Sequence, residues 1–179
     1  FTLVELLITI TLIVIVLAIA APSFQELMLT NRRATQLNTM MASLNLARAE
    51  AVRTGGNAIV CITDGAANPD CHATASNWDT GWLVIVDTDK DGTIARADGD
   101  HVTQVQQALG SESTLRGDDN SIRFTARGTT SNAGTLRLCD SRGAADAGGI
   151  VIALTGRARA ATDSDDDGTV EDGGGAELT

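Results

Sequence analysis

The first twenty-one residues, Phe1 to Ala21 (FTLVELLITITLIVIVLAIAA), contain one charge, Glu5. A helix rises about 1.5 Å per residue, so this run reaches roughly 32 Å, enough to cross the hydrocarbon core of a bilayer. Whatever the rest of the chain folds into must leave that rod in lipid or against other apolar rods. A carboxylate near one end is an expensive exception, costing about 2.5 kcal/mol or more at mid-depth. It calls for a cation. The amine of Phe1, if the chain begins there, is the nearest one. It lies about four residues away on the same helix, too strained for an easy contact within one chain. A neighbouring copy, slid along the axis, can supply the amine instead. A plain signal anchor or an uncleaved signal peptide is the alternative. A signal peptide shows a basic start and a small-residue cleavage site after a shorter apolar run, and this sequence shows neither.

Beyond Pro22 the pattern changes. Phe24, Leu27, Met28, Leu37, Met40, Met41, Leu44, Ala47 and Ala51 recur at three- and four-residue steps, while Arg32, Arg33, Gln36, Asn45 and Glu50 occupy the other face. An amphipathic helix of this kind leaves the membrane and lays its apolar stripe on a sheet. Gly55-Gly56 stops it. Six short strand-like runs follow, separated by turn clusters: 57–63, 81–86, 101–108, 121–127, 134–139 and 149–155. One long helix and then short strands predict an α+β fold, an antiparallel sheet packed on the helix. The expected organisation is a transmembrane or filament-core helix (1–22), an amphipathic helix joining the head (23–55), a β-rich head (56–159) and an acidic Gly/Asp-rich tail (160–179). That tail has almost no large apolar residue and reads as a tail or long loop that cannot build a core. Residues 57–179 carry 9 basic and 20 acidic side chains, net −11. Such a head stays soluble and resists nonspecific association with nucleic acid or anionic lipid.

The run FTLVELLITITLIVIVLAIAAP resembles the processed N-terminus of type IV pilins and type II secretion pseudopilins. The resemblance implies a prepilin peptidase cut just before Phe1, methylation of its amine, and a Glu5 that guides stacking into a filament. It assigns Pro22 the bend. Val14 stands where many pilins have a helix-loosening glycine. Further along, SLNLARAEAVRTGG (43–56), Cys61, Trp78-Asp-Thr-Gly-Trp82, the aspartate-rich turn after Val86, Leu138-Cys-Asp140 and Thr155-Gly-Arg-Ala-Arg159 resemble the GspH/FimT type of pilin. The implied fold is the type IV pilin fold: one long helix and a head of two small sheets. Nothing of the resemblance covers residues 160–179.

Three cysteines are present. In an exported head they meet oxidising conditions. Cys61 and Cys71 flank a turn segment, so a local bridge is the first choice, with Cys61–Cys139 the competing pairing. No second close Cys or His pair accompanies them to make a zinc site. His72 and His101 read as surface residues. Two aspartate runs are candidates for calcium, although no cofactor is required. Asp87-x-Asp89-x-Asp91-Gly92 matches the start of a calcium loop with Asp98 at the twelfth place. Asp163-x-Asp165-x-Asp167-Gly168 has the same start, with Gly174 at the twelfth place. A solvated hairpin turn and an acidic tail are the respective alternatives.

Gly156-Arg157-Ala158-Arg159 matches the G-R-x-R motif by which some FimT-like minor pilins bind DNA. Six arginines (Arg123, Arg127, Arg137, Arg142, Arg157, Arg159) face only Asp140 and Asp146 within residues 123–159, and guanidinium forks suit phosphate. Residues 160–179 then add seven acids and no base, which can compete with phosphate. DNA is therefore a candidate partner but not the favoured one. No H-E-x-x-H, G-x-S-x-G, P-loop or nucleotide fingerprint occurs, so no catalytic residue is assigned and an enzyme is not expected. The expected function is a structural subunit of an extracellular pilus-like filament. The alternative is a low-copy minor pilin or pseudopilin that primes the filament or binds DNA through Gly156–Arg159. The expected partners are copies of itself, other pilins, the inner-membrane assembly platform and the prepilin peptidase. The expected location is the inner membrane before assembly and the cell-surface filament afterwards.

Overall fold

The computed structural model describes residues 2–63, 65, 70–72, 76–94, 96, 99–165, 167 and 169–178. The chain separates into two compact units, residues 1–35 and 36–179, and helix α1, Leu3–Thr54, has segments in both.

In the first unit α1 begins beside Thr2, whose Oγ1 accepts the Glu5 N–H at 3.3 Å. Thr2 and Glu5 thus take the first and last places of a capping box, in which a side-chain oxygen satisfies one of the orphan amides of the first turn. The helix continues unbroken across Pro22. Proline has no N–H to offer the Ala18 carbonyl, so one ladder bond is missing there. Thr9 and Thr11 do not interrupt the apolar surface: their hydroxyls donate to the Leu6 and Leu7 carbonyls at 2.8 and 2.7 Å, which removes the need for water. Leu7, Ile13, Leu17 and Ile19 are more than half exposed.

In the second unit Met40, Ser43, Leu44, Ala47 and Ala51 are the buried residues of α1. They fall at steps of three and four, so one face meets the core. Serine and alanine on this face let the backbone approach the sheet closely. Trp82 exploits the approach: its Nε1–H donates to Ser43 Oγ at 2.9 Å in a buried site, and Ser43 Oγ donates to the Thr39 carbonyl at 3.0 Å. Both polar groups of this interior pair are satisfied. Gly55 ends the helix at φ 66°, the left-handed conformation that glycine adopts without strain.

Among the described residues eight strands follow: β1 (Ala58–Ile62), β2 (Trp82–Val86), β3 (His101–Gln106), β4 (Ser113–Gly117), β5 (Ser121–Phe124), β6 (Gly134–Asp140), β7 (Gly148–Ile152) and β8 (Ala158–Ala160). They form two four-stranded sheets, ordered β3-β2-β1-β5 and β4-β6-β7-β8, and every pairing is antiparallel. The expected α+β architecture of a long helix on antiparallel strands is the one observed. β1 and β2 are buried at every position. One face (Val60, Ile62, Trp82, Val84) joins Met40, Leu44, Leu136 and Ile150 in the main core. The other (Ile59, Cys61, Leu83, Ile85) is covered by Cys71, Ile94 and Val102. Two-sided burial explains why these strands read as continuous apolar runs rather than alternating ones.

Cys61 and Cys71 are bridged, and Cys139 on β6 is unbridged and partly buried, so the local pairing is the one formed. Closing so short a loop contributes about 2–3 kcal/mol in the chain-entropy model.

The described residues of 161–178 contain no named strand, but they are not without packing. Thr162 accepts the Glu171 N–H at 3.3 Å, and Leu178 N–H reaches the Val170 carbonyl at 2.9 Å. Leu178 is 2% exposed, and a Cβ on Gly149 would collide with its side chain. The segment read as unable to build a core therefore places one leucine against β7, where glycine leaves a dent.

Candidate functional site

Four features of the structure carry chemistry, and each is local to one unit.

The first is the apolar stem. It contains the one helix among the described residues that is long and apolar enough to cross a membrane, with a mean hydropathy of 2.9 in its best window. Its large side chains are exposed, outside the subunit's own core. Glu5 sits in the first turn and Pro22 inside the helix. Phe1, the expected source of the amine, lies outside the described residues.

The second is the loop after β2. The carboxylate oxygens of Asp87, Asp89 and Asp100 lie within 4.8 Å of one another. Asp87 is fully buried. Its oxygens accept the Lys90 N–H at 2.6 Å, the Gly92 N–H at 3.3 Å and Asn57 Nδ2 at 3.2 Å. Asp100 accepts the Thr88 N–H at 2.8 Å. Asp91, expected as a ligand, turns instead to the Thr93 N–H at 2.7 Å and is not in the cluster. Asp98 lies outside the described residues. Asp100 takes part where a twelve-residue count points to Asp98. The count assumes a loop running into a helix, whereas here β3 follows and presents the aspartate just before its first residue.

The third is the C-terminal loop. Asp163, Asp165 and Glu171 bring carboxylate oxygens within 4.8 Å of one another, and Glu171 is buried. Glu171 also holds the Ser164 N–H at 2.9 Å and Ser164 Oγ at 2.9 Å. Asp167, expected as a ligand, accepts the Thr169 N–H at 2.8 Å and is bonded to Glu177. That bond, then the Asp167 charge, burial, Asp165 and Glu171 hold the Glu177 carboxyl above the usual range. Asp172 is held below it, by the Ala176 and Gly174 backbone N–H groups first and by Arg137 last. Glu171 was missed because nothing but Gly174 stands at the twelfth place; the ninth place holds the glutamate.

The fourth is a corner built on glycine. Gly128 and Gly156 both have φ 73°, and a Cβ on Gly156 would collide with the Gly128 carbonyl. Arg48 from α1 fastens the two turns, donating from Nε to the Gly128 carbonyl at 2.9 Å and from Nη2 to the Thr155 carbonyl at 3.1 Å. Arg157 and Arg159 are exposed beside this corner, and Arg159 lies opposite Val151 on the edge strand β8. The six arginines of residues 123–159 are thus divided. Arg142 is held by Asp140 at 2.7 Å and Asp146 at 3.1 Å. Arg123 donates to the Gly92 carbonyl at 2.8 Å, and Arg137 lies 3.9 Å from Asp118. Arg127, Arg157 and Arg159 have no carboxylate partner among the described residues. Arg48 carried no site signal in the sequence, since its partners are carbonyls rather than acids.

A family model described as type II transport protein GspH matches residues 36–156. Two crystal structures of the type IV minor pilin FimU from Pseudomonas aeruginosa (strain PAO1) are similar in fold. One, in space group P21, has a TM-score of 0.56 at 19% identity and covers 72% of this chain and 87% of that chain. The other, in space group P65, has a TM-score of 0.52 at 19% identity and covers 70% and 89%. No curated protein matches the chain.

Proposed function

We propose, from a chain that belongs to the type II transport protein GspH family and has a type IV pilin fold, that it is a structural subunit of a pilus-like filament. Subunits polymerise by moving their apolar stems from the membrane into a common bundle. The observation that carries this reading is the stem itself: a span of mean hydropathy 2.9 whose best window buries none of its residues in the subunit's own interior. In water that surface would cost about 25 cal/mol for each Å² left wet. Lipid before assembly and identical stems after it are the two environments that remove the cost. The reading places the chain in the inner membrane first and in an extracellular filament later, with other pilins, an assembly platform and a prepilin peptidase as partners. It assigns no enzymatic activity. Surface filaments sheared from cells and separated by mass give the test. The chain is expected as the dominant band with a methylated Phe1 amine. A trace level moves it to the low-copy role, and a retained leader sequence removes the stacking role of Phe1 and Glu5.

The low-copy reading has its own support in exposed Arg157 and Arg159. It expects a salt-sensitive gel shift of duplex DNA by the head, stronger once residues 160–179 are removed. No shift by either form ends the DNA reading.

Both acidic loops are proposed as calcium sites, one through Asp87, Asp89 and Asp100 and the other through Asp163, Asp165 and Glu171. Oxygen-only donor sets suit a hard cation, and exported modules bind calcium at about 0.1–1 mM. At a tenfold excess over Kd, one site stabilises by about 1.4 kcal/mol, so about 10 mM calcium, tenfold above the weakest Kd in that range, should raise the melting midpoint by about 3–6 °C. An unchanged midpoint removes both sites.

A further inference from the structure

The β7–β8 hairpin carries opposite charge at its two ends. At the turn end, Gly128 and Gly156 lie close together and Arg48 hydrogen-bonds to the carbonyls of both turns, so Arg48 stands beside the turns that carry Arg127 and Arg157. Val52 and Leu154 stand beside them, 53% and 62% exposed. None of these three arginines has a carboxylate partner among the described residues. At the other end the Ala161 N–H bonds to the Gly149 carbonyl at 2.8 Å, and the chain enters the acidic loop with Asp165, Asp167 and Glu177 exposed. The five residues of β7 separate the two ends by about 17 Å.

The chain has a net charge of −10, so two such molecules repel unless unlike patches meet. We propose that the arginine corner of one copy receives the acidic end of the β7–β8 hairpin of the next. The patch supplies what such a contact needs: cations with no carboxylate partner among the described residues, and apolar Val52 and Leu154 to be covered. The two patches differ, so the contact is head-to-tail. It repeats along a polymer rather than closing a two-fold dimer. The inference rests on the filament reading and adds to it where heads touch and which copy supplies which charge.

The test uses the full-length chain in the assembling cell, with calcium chelated so that no cation masks the acidic loop. Arg127→Glu with Arg157→Glu should lower sheared-filament yield at least tenfold. Asp165→Lys with Asp167→Lys should do the same. All four changes together should restore at least half of the yield. Melting of each variant in detergent separates loss of contact from loss of fold. Wild-type filaments should also shorten on transfer from about 0.1 M to about 1 M salt, where the screening length falls from about 10 Å to about 3 Å. Unchanged yield in either charge-reversed pair overturns the proposal. So does a four-change variant that folds without recovering filaments, or wild-type filaments indifferent to salt. If the arginine reversal spares filaments but abolishes DNA retention, the corner belongs to nucleic acid and the proposal fails. Normal filaments from reversed variants beside defective ones from Glu5→Ala defeat only this contact; no filaments from the wild type defeat the filament reading as well.

Discussion

Glu5→Ala is expected to leave membrane insertion intact and to cut filament yield at least a hundredfold. Insertion depends on the apolar length of the stem, which alanine does not shorten. Assembly, in this reading, depends on a carboxylate meeting another subunit's terminal ammonium in an apolar bundle. Removing one partner of such a buried pair costs about 3–5 kcal/mol, and each 1.4 kcal/mol is about tenfold in an equilibrium constant. A competing role is open to the same side chain, because the Glu5 N–H is bonded to Thr2 Oγ1 in the first turn and a glutamate at that place of a capping box can reach back to the backbone N–H of the cap residue. A capping box accepts glutamine at that place as well as glutamate. Glu5→Gln therefore separates the two roles. If charge pairing drives assembly, Glu5→Gln fails as Glu5→Ala does. If the cap is what matters, Glu5→Gln makes normal filaments. The measurement is filament mass per cell beside membrane-fraction protein for each variant. Abundant filaments from Glu5→Ala would remove Glu5 from the assembly mechanism.

The parts of this molecule that were legible in its sequence are those with a strong period or an unusual run. The stem, the amphipathic stripe through Met40, Leu44, Ala47 and Ala51, and six of the eight strands follow from spacing alone. β4 and β8 did not. β4 (STLRG) holds one large apolar residue, and β8 is three residues long, so neither has a pattern to detect. Both exist because β6 and β7 offer them free ladder edges. The local disulfide was legible because loop length favours near neighbours. The acidic loops were legible as clusters but not as ligand sets. Asp100 and Glu171 enter through the path of the backbone, and Asp91 and Asp167 leave because nearby N–H groups capture them. Leu178 was invisible for a related reason: a lone leucine among aspartates and glycines has no period, and its seat is made by the absent side chain of Gly149. Arg48 shows the general difficulty. A cation whose partners are main-chain carbonyls 80 and 107 residues away leaves no charge pattern in the sequence.

Gly156→Ala is expected to destabilise the fold by about 3 kcal/mol and lower the melting midpoint by about 10 °C. Two costs add. A non-glycine residue in the left-handed region loses about 1–2 kcal/mol, and Gly156 sits at φ 73°. Overpacking costs a further 1–3 kcal/mol or so, because the new Cβ would meet the Gly128 carbonyl, an atom already fixed by Arg48 at 2.9 Å. For a chain of this size, about 1 kcal/mol shifts the midpoint by roughly 2–4 °C. Arg157→Ala with Arg159→Ala, by contrast, removes exposed side chains that have no carboxylate partner among the described residues, a class of change within about 0.5 kcal/mol of neutral. The glycine and the arginines of one four-residue motif therefore answer to different requirements. The glycine lets two turns touch under Arg48, and the arginines are exposed to face a partner. Melting of the detergent-solubilised chain and its two variants measures the split. A Gly156→Ala midpoint within about 1 °C of the wild type would show that the corner yields easily, and the contact of the two turns would then not be what fixes the backbone beside Arg127 and Arg157.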